Sequence, residues 1–135
     1  MRQFPVSTAT PHVLIVDDDA DLLETLVSLL ESCGYRVSAA STGERAVALA
    51  TAPEALPDIV LTDIAMPGID GLEIIHALRS CRRLVPIIAM SGGAPGYDAL
   101  DMAKKLGADG IIGKPFTMAS IVEMLDRHLA RLAGI

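Results

Sequence analysis

Short apolar runs alternate along the chain with stretches whose apolar positions recur at helical spacing. The predicted strands are the runs at 12–16, 36–39, 58–62, 86–90 and 110–113. Three of these runs are nearly continuously apolar, which is typical of parallel strands that are covered on both faces. The pattern therefore predicts an α/β fold in which strands and helices alternate.

Residues at the ends of the helical stretches predict five helices. Asp19 can cap a first helix that runs to Cys33, and Gly34 supplies its stop. Asp70 followed by Glu73 is typical of the start of another helix. The remaining predicted helices span about 43–52, 97–106 and 117–132. Right-handed crossovers between these elements predict a parallel five-stranded sheet with helices on both faces.

The length of the chain indicates a single domain. It has 135 residues, and 51% of them are hydrophobic, which is enough for one sizeable core. Residues 1–11 are polar and contain proline, so we interpret them as a flexible N-terminal arm. The predicted domain spans 12–132, and 133–135 form a short tail.

Composition excludes several classes of function. The formal net charge is −6 and no dense Lys/Arg cluster occurs, so direct binding to nucleic acid is disfavoured. No apolar run approaches the ~20 residues of a membrane span. Cys33 and Cys81 are isolated thiols without CxxC spacing, which fits a reducing compartment. We therefore expect a cytoplasmic protein that does not enter a membrane.

Polar side chains finish four of the predicted strands. Asp17 and Asp18 follow the first strand, Asp63 the third, Ser91 the fourth and Lys114 the fifth. Ligands of such sheets bind at the carboxyl ends of the strands. Three carboxylates at one edge repel one another unless a cation compensates them. Oxygen ligands that leave room for water and phosphate suit Mg²⁺, so we predict a Mg²⁺ site here.

The same residues indicate phosphoryl transfer. A phosphoryl group brings ~2 further negative charges, which Mg²⁺ and Lys114 can balance. An aspartate nucleophile, Asp63, can then form an acyl phosphate, for which positioning and electrostatics do most of the catalytic work. Ser91 can donate a hydrogen bond to one phosphoryl oxygen while Lys114 neutralises another.

Four segments together carry a resemblance to a known family. The chain resembles the receiver domain of two-component response regulators, of the chemotaxis-receiver type, over roughly 12–132. The segments that carry it are 13–19 (VLIVDDD), 58–71 (DIVLTDIAMPGIDG), 86–92 (PIIAMSG) and 107–116 (GADGIIGKPF). Each segment alone is a weak signal, but four in this order at strand ends are specific.

The resemblance implies a flavodoxin-like fold with strand order 2-1-3-4-5. It implies that Asp63 is the phosphoacceptor, Ser91 the switch hydroxyl and Lys114 the phosphate-binding lysine. The peptide bond between Lys114 and Pro115 is expected to be cis.

The resemblance also implies a set of metal ligands and a set of partners. Asp18 and Asp63 would bind Mg²⁺ directly, Asp17 mainly through water, and the backbone carbonyl of Ala65 would complete the protein ligands. The implied phosphodonor is a histidine kinase or a histidine phosphotransfer protein. A downstream protein target is expected, and a homodimer is compatible with the C-terminal helix. Such a domain is not a conventional enzyme, because it catalyses only its own phosphorylation and dephosphorylation.

Two departures from the family pattern concern how a signal leaves the domain. Ile111 stands where these domains usually carry an aromatic residue that rotates with the switch hydroxyl, although isoleucine is also an ordinary strand residue. The segment Ser91-Gly-Gly-Ala-Pro-Gly-Tyr97 contains three glycines. One hypothesis is that movement of this loop, with Tyr97 as the aromatic substitute, transmits activation; an ordinary flexible connection is the alternative.

Other functions remain open at this point. Asp17-x-Asp19 after the first strand also fits an aspartate-nucleophile phosphatase of the haloacid dehalogenase type, with Asp17 as nucleophile. A degenerate receiver that acts only as a binding module is a further alternative. The histidines His12, His76 and His128 are expected on the surface or on helix faces, and Cys81 is expected in a loop.

Overall fold

The computed structural model of the chain describes residues 10–52, 56–64, 71–81, 85–91, 101, 104 and 107–132. Five strands and four helices of regular bounds lie within these residues. They are β1 His12–Val16, α1 Ala20–Ser32, β2 Arg36–Ala40, α2 Gly43–Thr51, β3 Ile59–Asp63, α3 Gly71–Cys81, β4 Ile87–Ser91, β5 Gly110–Gly113 and α4 Met118–Leu132. The strands form one parallel sheet in the predicted order, β2-β1-β3-β4-β5.

Several predicted features fall wholly or largely outside the described residues. These are the arm over 1–11, of which only residues 10 and 11 are described, the Asp70 cap, and the helix over 97–106, of which only Asp101 and Lys104 are described, both with helical backbone. Residues 10 and 11 lie outside the strands, although Pro11 contacts the start of β2. The Arg36 backbone N–H donates to the carbonyl of Pro11 at 2.9 Å.

The helix ends follow local capping chemistry. The Asp19 carboxylate accepts hydrogen bonds from the backbone N–H groups of Asp21 and Leu22, both at 3.1 Å, as predicted for the start of α1. Gly34 follows the end of α1 with φ +95°, a conformation that favours glycine. Thr42 caps α2 through its hydroxyl, which accepts from the Arg45 N–H at 3.2 Å.

The three central strands of the sheet are buried on both faces. Every residue of β1, β3 and β4 is buried. Successive strand residues face opposite sides, so Leu14 and Val16 pack with α2 and α3, whereas Val13 and Ile15 pack with α1 and α4. The central strands are thus enclosed by apolar layers, and their polar residues lie at the strand ends or, for Thr62, next to one.

Several strand and helix boundaries differ from the sequence prediction; β2, for example, ends at Ala40, one residue later than predicted. β3 and β4 each begin and end one residue later than predicted, so Asp63 and Ser91 are the last strand residues. The apolar pattern stops before them, but the ladder continues, since Asp63 pairs with Met90 and Ser91 with Gly113. The expectation of Cys81 in a loop is wrong, because it is the last residue of α3.

Candidate functional site

The polar strand ends meet at one edge of the sheet, as predicted. Asp17 follows β1, Asp63 ends the neighbouring β3, Ser91 ends β4, and Lys114 follows β5. Asp17, Asp63 and Ser91 are buried, with exposures of 0%, 5% and 6%. Burial of two carboxylates is costly unless they are paired or hydrogen-bonded, so their partners determine what this edge can do.

The Lys114 ammonium joins the two buried carboxylates. It donates to Oδ2 of Asp17 at 2.9 Å and to Oδ2 of Asp63 at 3.0 Å. The lysine side chain itself is only about a quarter exposed, at 24%. The three groups therefore form a partly buried ionic cluster in which one cation is shared by two anions.

This cluster shifts the pKa of Lys114. Burial acts to lower the pKa, because desolvation disfavours the charged ammonium. The hydrogen bonds and charges of Asp17 and Asp63 outweigh burial, and the pKa is raised above 10.5. Lys114 is therefore firmly cationic at neutral pH.

Asp17 is held by backbone groups as well as by Lys114. Its Oδ1 accepts the Asp19 N–H at 2.9 Å, while its own N–H donates to the Ala40 carbonyl at 3.1 Å. The Asp19 contact was missed in the sequence, although an aspartate two residues before a helix cap is a known turn signal. Thr62, also missed, is buried under the site and donates its hydroxyl to the Asp63 carbonyl at 3.0 Å.

The three carboxylates are arranged so that they could hold a metal ion. One ligand oxygen from each of Asp17, Asp18 and Asp63 lies within 4.8 Å of the others, and Asp18 is exposed. Three carboxylates and one ammonium leave two negative charges uncompensated. An all-oxygen donor set with this charge fits a hard divalent cation. Ala65, the expected carbonyl ligand, lies outside the described residues.

Ser91 and Lys114 are tied to each other through the backbone. The Lys114 N–H donates to the Ser91 carbonyl at 2.7 Å, one step beyond the pairing of Ser91 with Gly113. The Lys114–Pro115 peptide bond is cis, as the resemblance implied. The register of β5 on β4 thus sets where Lys114 leaves the sheet.

The features that concern signal output are only partly described. Ile111 lies in β5, half-buried, and pairs with Ala89. The segment after Ser91 up to Tyr97 lies outside the described residues, so the loop hypothesis stays a prediction.

The rings of His12 and His128 contact residues other than those of the acidic edge. His12 is buried in β1, so its expected place on the surface or a helix is wrong. Its Nε2 is 2.7 Å from Ser38 Oγ, and its Nδ1 is 3.3 Å from the Leu56 carbonyl. His128 is on α4 as expected but is buried, and His76 on α3 is exposed. His12 opens β1, at the end of the strand opposite Asp17.

Comparison with known proteins gives consistent matches. The sequence model of the response regulator receiver domain matches residues 13–126. The transcriptional regulatory protein PrrA of Mycobacterium leprae (strain TN) is 37% identical over 123 residues, which are 91% of this chain and 52% of PrrA. The response regulator SaeR of Staphylococcus aureus (strain USA300) is 30% identical over 121 residues, covering 90% and 51%. The chain spans about half the length of these curated relatives.

Solved structures share the fold. The chemotaxis protein CheY4 of Vibrio cholerae superposes with a TM-score of 0.80 at 30% identity, covering 88% of this chain and 98% of CheY4. A CheY-like receiver domain protein of Methanospirillum hungatei JF-1 has a TM-score of 0.84 at 27% identity, covering 91% and 96%. These matches give the phosphatase alternative no support. In the part of the chain that the structure describes, no helix is long and apolar enough to cross a membrane.

Proposed function

The chain belongs to the response regulator receiver domain family, and on that premise we propose that Asp63 is its phosphoacceptor. The observation that carries the proposal is the contact of Lys114 with Asp63 in a partly buried acidic site. A cation held against the acceptor carboxylate places positive charge where a phosphoryl oxygen would bind. Such placement is the main catalytic device in phosphoryl transfer.

The proposed reaction is one displacement at phosphorus. A carboxylate oxygen of Asp63 attacks the phosphorus of a phosphohistidine, the P–N bond breaks, and the imidazole leaves with the bonding electron pair. Lys114 neutralises one phosphoryl oxygen as a point charge, and the Ser91 hydroxyl donates to another. The product is an acyl phosphate on Asp63.

We further propose that the acidic edge binds Mg²⁺. Asp17, Asp18 and Asp63 would hold the ion, with the Ala65 carbonyl as a further ligand. When bound, Mg²⁺ supplies the positive charge that lets an anionic carboxylate approach an anionic phosphoryl group. Asp17 keeps its orientation through the Asp19 N–H, so one of its oxygens is directed by the backbone.

The proposed partners are proteins. A histidine kinase or a histidine phosphotransfer protein supplies the phosphoryl group, and phosphorylation changes affinity for a downstream protein or a second copy of the chain. With a net charge of −6, the domain itself is not proposed to contact nucleic acid. The proposed setting is the cytoplasm, and the proposed catalysis is limited to the domain's own phosphorylation and dephosphorylation.

Intact-mass measurement with acetyl phosphate and Mg²⁺ tests the proposal. We expect the wild type to gain the mass of one phosphoryl group, and Asp63→Asn to gain none. Asp58→Asn is the matched control, because Asp58 lies at the opposite edge of the sheet, where it contacts the His12 N–H. Labelling on Asp17 would instead indicate the phosphatase alternative. A folded wild type that gains no mass would indicate a degenerate receiver that acts only as a binding module.

A further inference from the structure

The strand that precedes Lys114 has few side chains that could specify its register. β5 is a four-residue strand, Gly110–Gly113, at the edge of the sheet, and among the strands that the structure describes it pairs with β4 alone. Glycine occupies both of its ends, so only Ile111 and Ile112 have side chains to pack. Register is weakly specified in glycine-rich strands, and a slip of one residue moves the chain ~3.3 Å and reverses its faces. Lys114 follows directly, so such a slip would displace it.

Arg79, on α3, forms hydrogen bonds with the segment that leads into β5. Its Nη1 donates to the Val85 carbonyl at 2.5 Å, just before β4. Its Nε and Nη2 both donate to the Gly107 carbonyl, at 2.9 and 2.7 Å, and Nη2 also reaches Oδ2 of Asp109 at 2.5 Å. Because a planar guanidinium is rigid, these contacts fix the residues just before β4 relative to the residues just before β5.

Asp109 connects the Arg79 contacts to the first residue of β4. Its Oδ2 accepts the Ile87 N–H at 2.8 Å, and its own N–H donates to the Ile87 carbonyl at 2.8 Å. Ile87 is the first residue of β4. The first link between β4 and β5 therefore combines a backbone hydrogen bond with one to a carboxylate that Arg79 contacts.

The backbone conformation of Gly107 and its lack of a side chain both suit the contact with Arg79. Its φ is +113°, and a Cβ added there would lie 3.0 Å from Nε of Arg79 and 3.1 Å from its Cγ. A side chain at this position would thus strain the backbone and push against the arginine. Any larger residue at position 107 is expected to weaken the hydrogen bonds of Arg79.

At the C-terminal end of β5, the register determines the position of Lys114. Ser91 pairs with Gly113, and the next residue, Lys114, donates its N–H to the Ser91 carbonyl. We propose that Arg79, acting through Asp109, is a positioning residue that sets the β5 register and thereby places the Lys114 ammonium on Asp63. The inference rests on the proposed phosphoacceptor function for its catalytic consequence, but the register itself is measurable without phosphorylation.

A purely structural role of Arg79 would lower stability without altering folded molecules, so the test compares folded proteins. The variants are Arg79→Met and Arg127→Met. Arg127 is the control, because it is exposed and pairs with Glu123 within α4. Gly107→Ala should also disturb the Arg79 hydrogen bonds, and Arg79→Lys retains the positive charge but lacks the planar guanidinium. Urea unfolding first defines conditions under which each variant is fully folded.

Two measurements decide the inference. Cross-strand NMR contacts between Ser91 and Gly113 report the register, which we expect to change in Arg79→Met, Arg79→Lys and Gly107→Ala but not in Arg127→Met. Labelling by acetyl phosphate reports the catalytic consequence. A misplacement of about 1 Å costs up to ~100-fold, so we expect Arg79→Met to label at least ~10-fold more slowly. In a Lys114→Ala background the same change should slow labelling little further, because both act through one ammonium.

An unchanged register in folded Arg79→Met and Gly107→Ala overturns the inference. Labelling of Arg79→Met at the wild-type rate also overturns it. The same holds if Arg79→Met slows labelling equally in the wild type and in the Lys114→Ala background. If the wild type itself gains no mass, the proposed function fails, and the NMR register alone then decides whether Arg79 positions β5.

Discussion

The Lys114 ammonium lies 3.0 Å from Oδ2 of Asp63, although 51 residues separate them in the sequence. The same ammonium also reaches Asp17, so it compensates part of the repulsion between two buried carboxylates. The ammonium stabilises the acidic edge, and under the proposed function it would also provide charge for an incoming phosphoryl group. These roles can be separated experimentally.

Removal of the Lys114 charge should impair labelling of Asp63. Lys114→Met keeps most of the aliphatic stem but loses the ammonium, so a phosphoryl oxygen loses its charged partner. We expect labelling by acetyl phosphate to slow by about 100-fold, the usual cost of one lost electrostatic contact in a transition state. Lys104→Met is the control, since Lys104 is exposed. Equal rates in both variants would show that Lys114 does not contact the reacting group.

The raised pKa of Lys114 predicts a component of alkaline unfolding. A lysine whose folded pKa exceeds its unfolded value of 10.5 contributes stability that is fully present below that value. The contribution is lost as pH rises through the folded pKa, because both states then bind no proton there. Urea unfolding from about pH 9 to about pH 12, in EDTA, should therefore show a steeper loss for wild type than for Lys114→Met. Parallel curves would contradict the shift.

Divalent cations should stabilise the fold through the acidic edge. A ligand that binds only the native state adds about 2.7 kcal/mol at 100 times its Kd. We expect Mg²⁺ to raise the Tm of wild type, and Asp18→Asn to require more Mg²⁺ for the same rise. Asp18 is the informative site because it is exposed and its loss leaves the Lys114 contacts intact. Glu24→Gln is the control, and an equal Mg²⁺ response in all three proteins would exclude Asp18 as a ligand.

Gly110 and Gly113 of β5 should respond differently to a methyl group. A Cβ at Gly110 would lie 2.9 Å from Cδ1 of Ile88 and 3.0 Å from Cε1 of His128, whereas none of the described atoms lies within 4 Å of a Cβ at Gly113. Gly110→Ala should therefore cost about 1–3 kcal/mol of unfolding free energy, as overpacking usually does. Gly113→Ala should change it little. Urea unfolding of both variants measures the difference, and equal values would contradict the close packing of β5 on α4.

Much of the fold could be predicted because its signals are local. The Asp19 cap and the Gly34 stop of α1 depend on residues within a few positions of each other. The strand-end residues Asp17, Asp63 and Ser91 were identifiable because parallel strands bring their carboxyl ends to one edge. The strand ends were misplaced by one residue, since an apolar run reports burial rather than the end of a ladder.

Contacts between distant segments could not be predicted in this way. Arg79 reads as an ordinary residue near the end of a helix, yet its guanidinium binds Gly107 and Asp109, about 30 residues away. His12 was expected on the surface or on a helix face, because a single histidine carries no sign of its partners. Its ring lies against Ser38 and Leu56, which the strand pairing brings to it.

The sequence by itself determined the alternation of strands and helices, the parallel sheet and the set of polar residues at its edge. Periodicity and capping are properties of neighbouring residues, so they can be read without a structure. Only the tertiary structure decided that one ammonium is shared by Asp17 and Asp63, and that Arg79 and Asp109 join β4 to β5. Those choices depend on the relative register of strands, which is set by contacts across the fold.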